Sequence, residues 1–345
     1  MYLTEKEILD TPNALQRTCT YFDEKDADIK RFFSEHPRRK FVFFGCGSSY
    51  MLAKSAATIF SNLLGTEAYA IPAGDYIVHP DFWKDTVTGS TVVALSRSGK
   101  TSEMVRAVKH IRAELVCPVI SISMLRDNDL SALSELSLIL DWCYDESVCQ
   151  TRTVTNLYVS TLLLATKYIK NPMLVEFVKQ ACRDNENFLH DHRSCFEEIA
   201  KQNWENVVVL ADGEICGLAE EGALAFTEIA MLTGRYFHLL DYRHGPIVVS
   251  DERTLTIILL RPDERDLQLA MVRDVCSHGG PVITISEQSE SVPEVAAHIQ
   301  IANNSWFATW GISFIYTAQM IALLKAIELG NNPDAPQGLD AYITL

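Results

Sequence analysis

The sequence predicts an α/β fold in two similar halves, each a parallel sheet with helices on both faces. Three observations carry that expectation. Short apolar runs recur in the same order. Thr91 to Ser96 is answered by Thr254 to Leu259 and Pro118 to Ser123 by Pro281 to Ser286, both at an offset of 163 residues, and Phe41 to Gly45 by Val207 to Ala211 at 166. Each run is about the length of a buried strand and too short for a helix. Between the runs lie segments of helical periodicity, so the chain alternates strand, loop and helix.

In chain order, residues 4–35 are expected to be helical. Thr4 with Glu7 fits a capping box, and Thr11-Pro12 fits an N-cap followed by a first-turn proline. Strands are expected at 41–44, 91–96, 118–123 and 136–141, with helices at 51–64, 102–115 and 155–169. Residues 173–202 hold no glycine or proline and carry an apolar stripe, which predicts one connecting helix. The domains are therefore set at 1–172 and 173–345. The second half repeats the scheme, with strands at 206–211, 236–239, 254–260, 281–286 and 298–302, and helices at 217–233, 265–278 and 306–329. Gly330 to Pro336 stops the last helix and starts an extended tail over 331–345.

Composition limits the partners. The formal charge of −15 over 345 residues argues against nucleic acid and anionic membranes. No apolar stretch reaches the ~20 residues that span a bilayer. Met1 to Glu7 lacks a basic segment followed by an apolar one, so a cytoplasmic protein is expected. Nine cysteines without a Cys-x-x-Cys read as buried thiols, and the nine histidines show no metal spacing, so no metal and no cofactor is expected.

The two halves differ where chemistry sits. In the first, strands run into Cys46-Gly47-Ser48-Ser49 and Ser96-Arg97-Ser98-Gly99-Lys100-Thr101; in the second, into Asp212-Gly213-Glu214 and Arg261-Pro262-Asp263-Glu264. Ligands of open parallel sheets bind beyond the carboxyl ends of the strands. Amides at a helix N-terminus attract anions, and serine and threonine hydroxyls add donors for the three oxygens of a phosphate monoester. Serines and glycines after a strand also make plain turns, so the pairing of two such loops carries the signal. No P-loop is present, and Gly45-Cys46-Gly47 lacks the third glycine of a dinucleotide fingerprint, which disfavours an ordinary oxidoreductase.

Candidate acid and base groups lie in the second half. Glu221 and Glu228 are seven apart on one expected helix and share a face. A carboxylate drawn from water has a raised pKa and serves as a base near neutral pH. His244 stands in a Gly-Pro turn and can exchange a proton near neutrality. Spacing alone also fits a solvated helix face and an exposed turn histidine.

Phe44 to Ser49 with Leu95 to Thr101 resembles the sugar isomerase (SIS) domain, in particular the isomerase half of glucosamine-6-phosphate synthase and the fructosamine-6-phosphate deglycases. The resemblance covers nearly the whole chain and implies two tandem SIS domains, each a parallel-sheet αβα sandwich. It implies that Gly47, Ser48, Ser49, Ser96, Arg97, Ser98 and Thr101 hold a sugar 6-phosphate, and that Cys149, Gln150 and Thr151 line the sugar. The Glu221-Gly-Ala-Leu helix, Glu228 and His244-Gly-Pro sixteen residues further on match the family's acid/base pattern. That match implies Glu228 as the proton-shuttling base and Glu221 among the substrate-binding residues. It implies that His244 assists ring opening or leaving-group protonation; in several relatives the histidine reaches the site from a second subunit, which would require a homodimer. Ala225 stands where the synthase has a lysine, and the tail lacks the synthase's arginine and lysine. The implied activity is therefore a phosphosugar isomerase, deaminase or deglycase acting through an enediol or enolamine. The alternative is a non-catalytic phosphosugar-binding regulator, which has no need of an acid/base pair.

Overall fold

A computed structural model describes residues 1–289 and 292–340. The last five residues of the expected extended tail, 341–345, lie outside the described residues. The chain divides into two compact units. The N-terminal unit is built mainly from Asp10–Glu146 and Gln150–Lys179, and the C-terminal unit from Met1–Leu9, Ser147–Cys149 and Gln180–Leu339.

The elements of the first half are α1 (Leu3–Glu24), α2 (Asp26–Glu35), β1 (Lys40–Gly45), α3 (Ser48–Leu64), β2 (Glu67–Pro72), α4 (Ala73–Val78), α5 (Pro80–Val87), β3 (Thr91–Leu95), α6 (Ser102–His110), β4 (Val119–Ser123), β5 (Leu136–Ile139) and α7 (Arg152–Ile169). Five parallel strands pair in the order β2-β1-β3-β4-β5. β3 and β4 are buried along their whole length, as both-face coverage requires. Side chains alternate between faces. Val42, Phe44, Val92 and Ala94 pack with Tyr76, Met104 and Val108 on the α4–α6 side. Phe41 and Phe43 turn to the opposite side, against Phe60 of α3.

The second half continues with α8 (Pro172–Asp184), α9 (Phe188–Ala200), β6 (Asn206–Leu210), α10 (Cys216–Ile229), β7 (Thr233–Phe237), β8 (Thr254–Leu259), α11 (Arg265–Cys276), β9 (Val282–Ser286), β10 (Ala297–Gln300) and α12 (Gly311–Glu328). Its parallel strands take the order β10-β9-β8-β6-β7, the same path as the first sheet read from the other edge. Helices α9, α10 and α12 pack together on one face. On the other face Val208, Leu210, Ile258 and Leu260 meet Tyr242 and the α11 residues Met271, Val272 and Val275.

Several local expectations change. The helix expected at 217–233 ends at Ile229, and the strand expected at 236–239 is β7 at Thr233–Phe237. Helix α1 runs unbroken through Pro12, so no second cap forms at Thr11. Its N-terminus is held by Asp334, whose carboxylate accepts the amides of Leu3 (2.9 Å) and Thr4 (2.8 Å). Glu7 turns instead to the amide and hydroxyl of Ser147. The expected single connecting helix is two, parted at residues 185–187, where Asn185 bonds back to Ala181 and across to Ser313. Residues 67–87, without a continuous apolar run, supply the half-exposed edge strand β2 and the short helices α4 and α5. Finally, Phe307–Glu328 is long and apolar enough to cross a membrane, contrary to the reading of the sequence. Its apolar window is 94% buried inside the fold, which marks α12 as a core helix.

Candidate functional site

The N-terminal unit has its switch point between β1 and β3. Strand β1 feeds α3 on one face and β3 feeds α6 on the other, so the two following loops part and leave a crevice. Both hydroxyl loops stand there. Gly47 is exposed at the N-cap of α3, and Ser48 and Ser49 form its first buried turn. Ser96, Arg97 and Ser98 are buried, and Thr101 is half-buried at the N-cap of α6.

The second loop is held open by its own hydrogen bonds. The Gly99 amide donates to Ser96 Oγ (3.0 Å) and the Lys100 amide to Ser98 Oγ (3.1 Å). Each serine therefore accepts from the loop and keeps its hydroxyl proton for an acceptor. The Arg97 carbonyl accepts the Met124 amide at 2.9 Å, and its guanidinium lies 5.8 Å from the Tyr144 ring centre. Gly99 has φ +62°, and a Cβ there would meet Asn128 at 2.5 Å. Asn128 is itself fixed, donating to Ser123 Oγ (3.2 Å) and accepting the Ser131 amide (2.9 Å). Burial, and then Glu103, push the Cys46 thiol up to about 12, so it stands beside the anion loops as a neutral group.

Gln150 and Thr151 lie in the same unit at the start of α7. There the buried Asp145 carboxylate accepts the amides of Thr151 and Thr153, each at 2.8 Å. The helix end is thus capped by protein rather than open to a phosphate. Cys149 belongs to the C-terminal unit and is 1% exposed.

Glu221 and Glu228 sit on α10 as their spacing predicts, but in different surroundings. Glu221 is buried. Glu228, one residue from the helix end, is half-buried and lines a cleft of about 510 Å³ with Met231, Thr233, Gly234, Gln337 and Leu339. His244 is exposed at the end of the 3₁₀ turn Asp241–Arg243. That turn is pinned by Tyr242, whose hydroxyl bonds Ser250 at 2.6 Å, and by Arg243, whose Nε donates to Asp274 at 2.6 Å. Tyr242 packs with α11, whereas α10 packs with α12 across the sheet. Glu228 and His244 of one chain therefore lie on opposite faces of one sheet, with its thickness between them.

The matching crevice of the C-terminal unit, between β6 and β8, is filled. Arg261 Nη1 donates to Glu214 Oε2 at 3.2 Å, and its guanidinium lies 4.2 Å from the Phe307 ring centre. Gly213 makes room for it, since a Cβ there would stand 2.1 Å from Nη1. Sequence reasoning missed Asn128 and Asp145, and did not foresee that Arg261 fills its own crevice or that the tail stands beside Glu228. The only local signal was the polar turn Arg126-Asp127-Asn128-Asp129 after a strand. Among the described residues no three His, Cys, Asp or Glu side chains converge as a metal site, and no disulfide is formed.

Residues 36–167 match the SIS domain. Across 355 aligned residues the chain is 24% identical to D-galactosamine-6-phosphate deaminase AgaS of Escherichia coli, covering 96% of this chain and 91% of that protein. The solved structure of tagatose-6-phosphate ketose/aldose isomerase from Escherichia coli superposes with a TM-score of 0.85 at 22% identity, covering 99% of this chain and 97% of that one. The C-terminal domain of glucosamine-fructose-6-phosphate aminotransferase from Francisella tularensis does so with a TM-score of 0.85 at 18% identity, covering 97% and 98%.

Proposed function

We propose that this chain, whose residues 36–167 belong to the SIS domain family, is an enzyme that isomerises or deaminates a sugar 6-phosphate. The C-terminal unit, with its identical strand path, is then a second SIS domain. The observation that carries the reading is the pair of hydroxyl loops at the switch point between β1 and β3. Ser48, Ser49, Ser96, Ser98 and Thr101 present hydroxyls there, with Gly47 allowing close backbone approach and Arg97 supplying charge. The phosphate is the handle: binding far from the reacting carbon aligns the sugar for the chemical step. Gln150, Thr151 and Cys149 line the sugar, with the Thr151 backbone amide held by Asp145.

Glu228 is the base. It removes the proton from C2 of the open-chain sugar, and a proton returns to C1. With a hydroxyl on C2 the product is the ketose. With an amine on C2 the product is an iminium, to which water adds and from which ammonia leaves. The substrate's own carbonyl accepts the electrons, so no cofactor is required. His244 assists ring opening. The placement of Glu228 and His244 on opposite faces of one sheet supports a homodimer in which each site takes its histidine from the other subunit. Glu221, two helical turns away on the same face and buried, holds the α10 side of the sugar site. Nine cysteines without a disulfide among the described residues support a reducing, cytoplasmic setting.

The test is a panel of galactosamine, glucosamine, fructosamine and ketose 6-phosphates, with ammonia, amine and hexose phosphate followed. Ammonia from a 2-amino sugar marks a deaminase, interconversion alone an isomerase, and amine release from a fructosamine a deglycase. Tight binding of several members without turnover of any would sink the catalytic reading in favour of a regulator. Mixing Glu228→Gln with His244→Ala chains tests the shared site. Activity should return in the mixed dimers, and a fully active monomer in sedimentation would rule the arrangement out.

A further inference from the structure

A second concentration of positive charge lies at the other end of β1. Arg38 and Arg39 immediately precede the first residue of that strand, Lys40, whereas the loop at Gly47 follows its last, Gly45. Six residues of strand separate the two ends, roughly 20 Å. At the Lys40 end is a cleft of about 350 Å³ lined by Lys30, Arg38, Arg39, Lys167 and Lys170. Among the described residues no carboxylate lines it. That is five cations in one cleft of a chain with 30 Lys and Arg against 45 Asp and Glu.

Ion pairs and helix ends account for part of this charge only. Lys30 and Lys167 share Asp26, at 2.5 and 3.0 Å. The carboxyl end of α7 favours one cation nearby. Arg38, Arg39 and Lys170 have no carboxylate within ion-pair distance among the described residues, so three like charges face one cleft uncompensated. Lys170 also stands at φ +57°, a left-handed position where a helix normally ends on glycine. A lysine stands there against the backbone preference.

The wall is built rather than floppy. The Tyr168 hydroxyl donates to the Arg38 carbonyl at 3.0 Å. Its ring packs edge-on against Phe33 and Phe41, with centroids 4.8 and 5.0 Å away. The backbone of the arginine-bearing turn is thereby tied to α7 and to the sheet before any ligand arrives.

From this we propose that the cleft is a second anion site, which binds a diphosphate-bearing small molecule. Several cations at one mouth match a group of two or more linked phosphates better than a single phosphate. The cleft's distance from the hydroxyl loops makes its ligand an effector rather than a second substrate. The inference does not depend on the catalytic reading.

The experiment is calorimetric titration of the whole protein with inorganic diphosphate, orthophosphate and adenosine diphosphate. Diphosphate should bind saturably and more tightly than orthophosphate, and equally well to a Ser96→Ala/Ser98→Ala chain. Tighter binding of the nucleotide identifies a nucleoside diphosphate resting on the aromatic wall; equal binding identifies the free diphosphate. Arg38→Ala/Arg39→Ala should weaken diphosphate by roughly tenfold or more. Lys170→Gly should weaken it several-fold while the melting temperature holds or rises, because glycine suits the left-handed position. No saturable binding of diphosphate up to millimolar concentration would overturn the site. So would wild-type affinity in both variants, or loss of binding in the serine variant.

Discussion

The crevices at the two switch points are built on the same strand path and are filled differently. Between β1 and β3 the loops carry serines whose hydroxyl protons remain available, above a glycine that clears Asn128. Between β6 and β8 the same space holds the protein's own Arg261, ion-paired to Glu214 and laid on Phe307. A sheet order fixes where a crevice opens; the few residues after each strand decide whether it receives a ligand or closes on itself. The second copy is left free for other work, and its α10 carries Glu221 and Glu228.

The comparison can be broken most sharply at the serines. Ser96→Ala with Ser98→Ala removes two buried donors and should weaken phosphosugar binding by about 1–3 kcal/mol for each. Titration with a phosphosugar and its unphosphorylated form checks this. Equal affinity of the two forms for the wild type would remove the phosphate handle.

Next in size is Glu228→Gln, which keeps the shape and loses the base. Turnover should fall roughly a hundredfold or more, with binding held within a few fold. Steady-state kinetics beside direct binding reads both. Near-normal turnover would move the base to Glu221.

Gly99→Ala puts a Cβ at φ +62° and 2.5 Å from Asn128. The loop should shift, at a cost of about 1–3 kcal/mol, and KM should rise more than kcat falls. Combining it with Asn128→Ala relieves the clash but not the backbone strain, so partial rescue is expected.

The smallest effect belongs to the filled crevice. Arg261→Ala leaves Glu214 without its guanidinium and uncovers the Phe307 face. Thermal unfolding should show a loss of about 1 kcal/mol, and phosphosugar affinity should stay at the wild-type value. An affinity change as large as that of the serine pair would end the distinction between the two crevices.

Much of the fold was legible because parallel strands buried on both faces must be continuous apolar runs. Phe41 to Phe44, Thr91 to Leu95 and Val119 to Ser123 announced themselves in that way, and so did their counterparts near 207, 254 and 282. Strand β2 did not, because an edge strand needs only one covered face and its residues alternate in exposure. The hydroxyl loops were legible too, since a strand ending in small donors before a helix is a local pattern.

Caps and closures were not legible. Thr4 and Glu7 satisfied every local rule for a capping box, yet Asp334, 330 residues away, took the Thr4 amide. Arg261 could not be seen to fill a crevice, because Gly213 and Phe307 meet it only in the folded unit. The sequence by itself determined the two parallel sheets, their central strands and the asymmetry of their loops, because periodicity and turn chemistry act over a few residues. Only the tertiary structure decided which helix ends are capped, which crevice stays open and that Glu228 and His244 lie on opposite faces. Those outcomes depend on side chains far apart in sequence competing for the same space and the same hydrogen bonds.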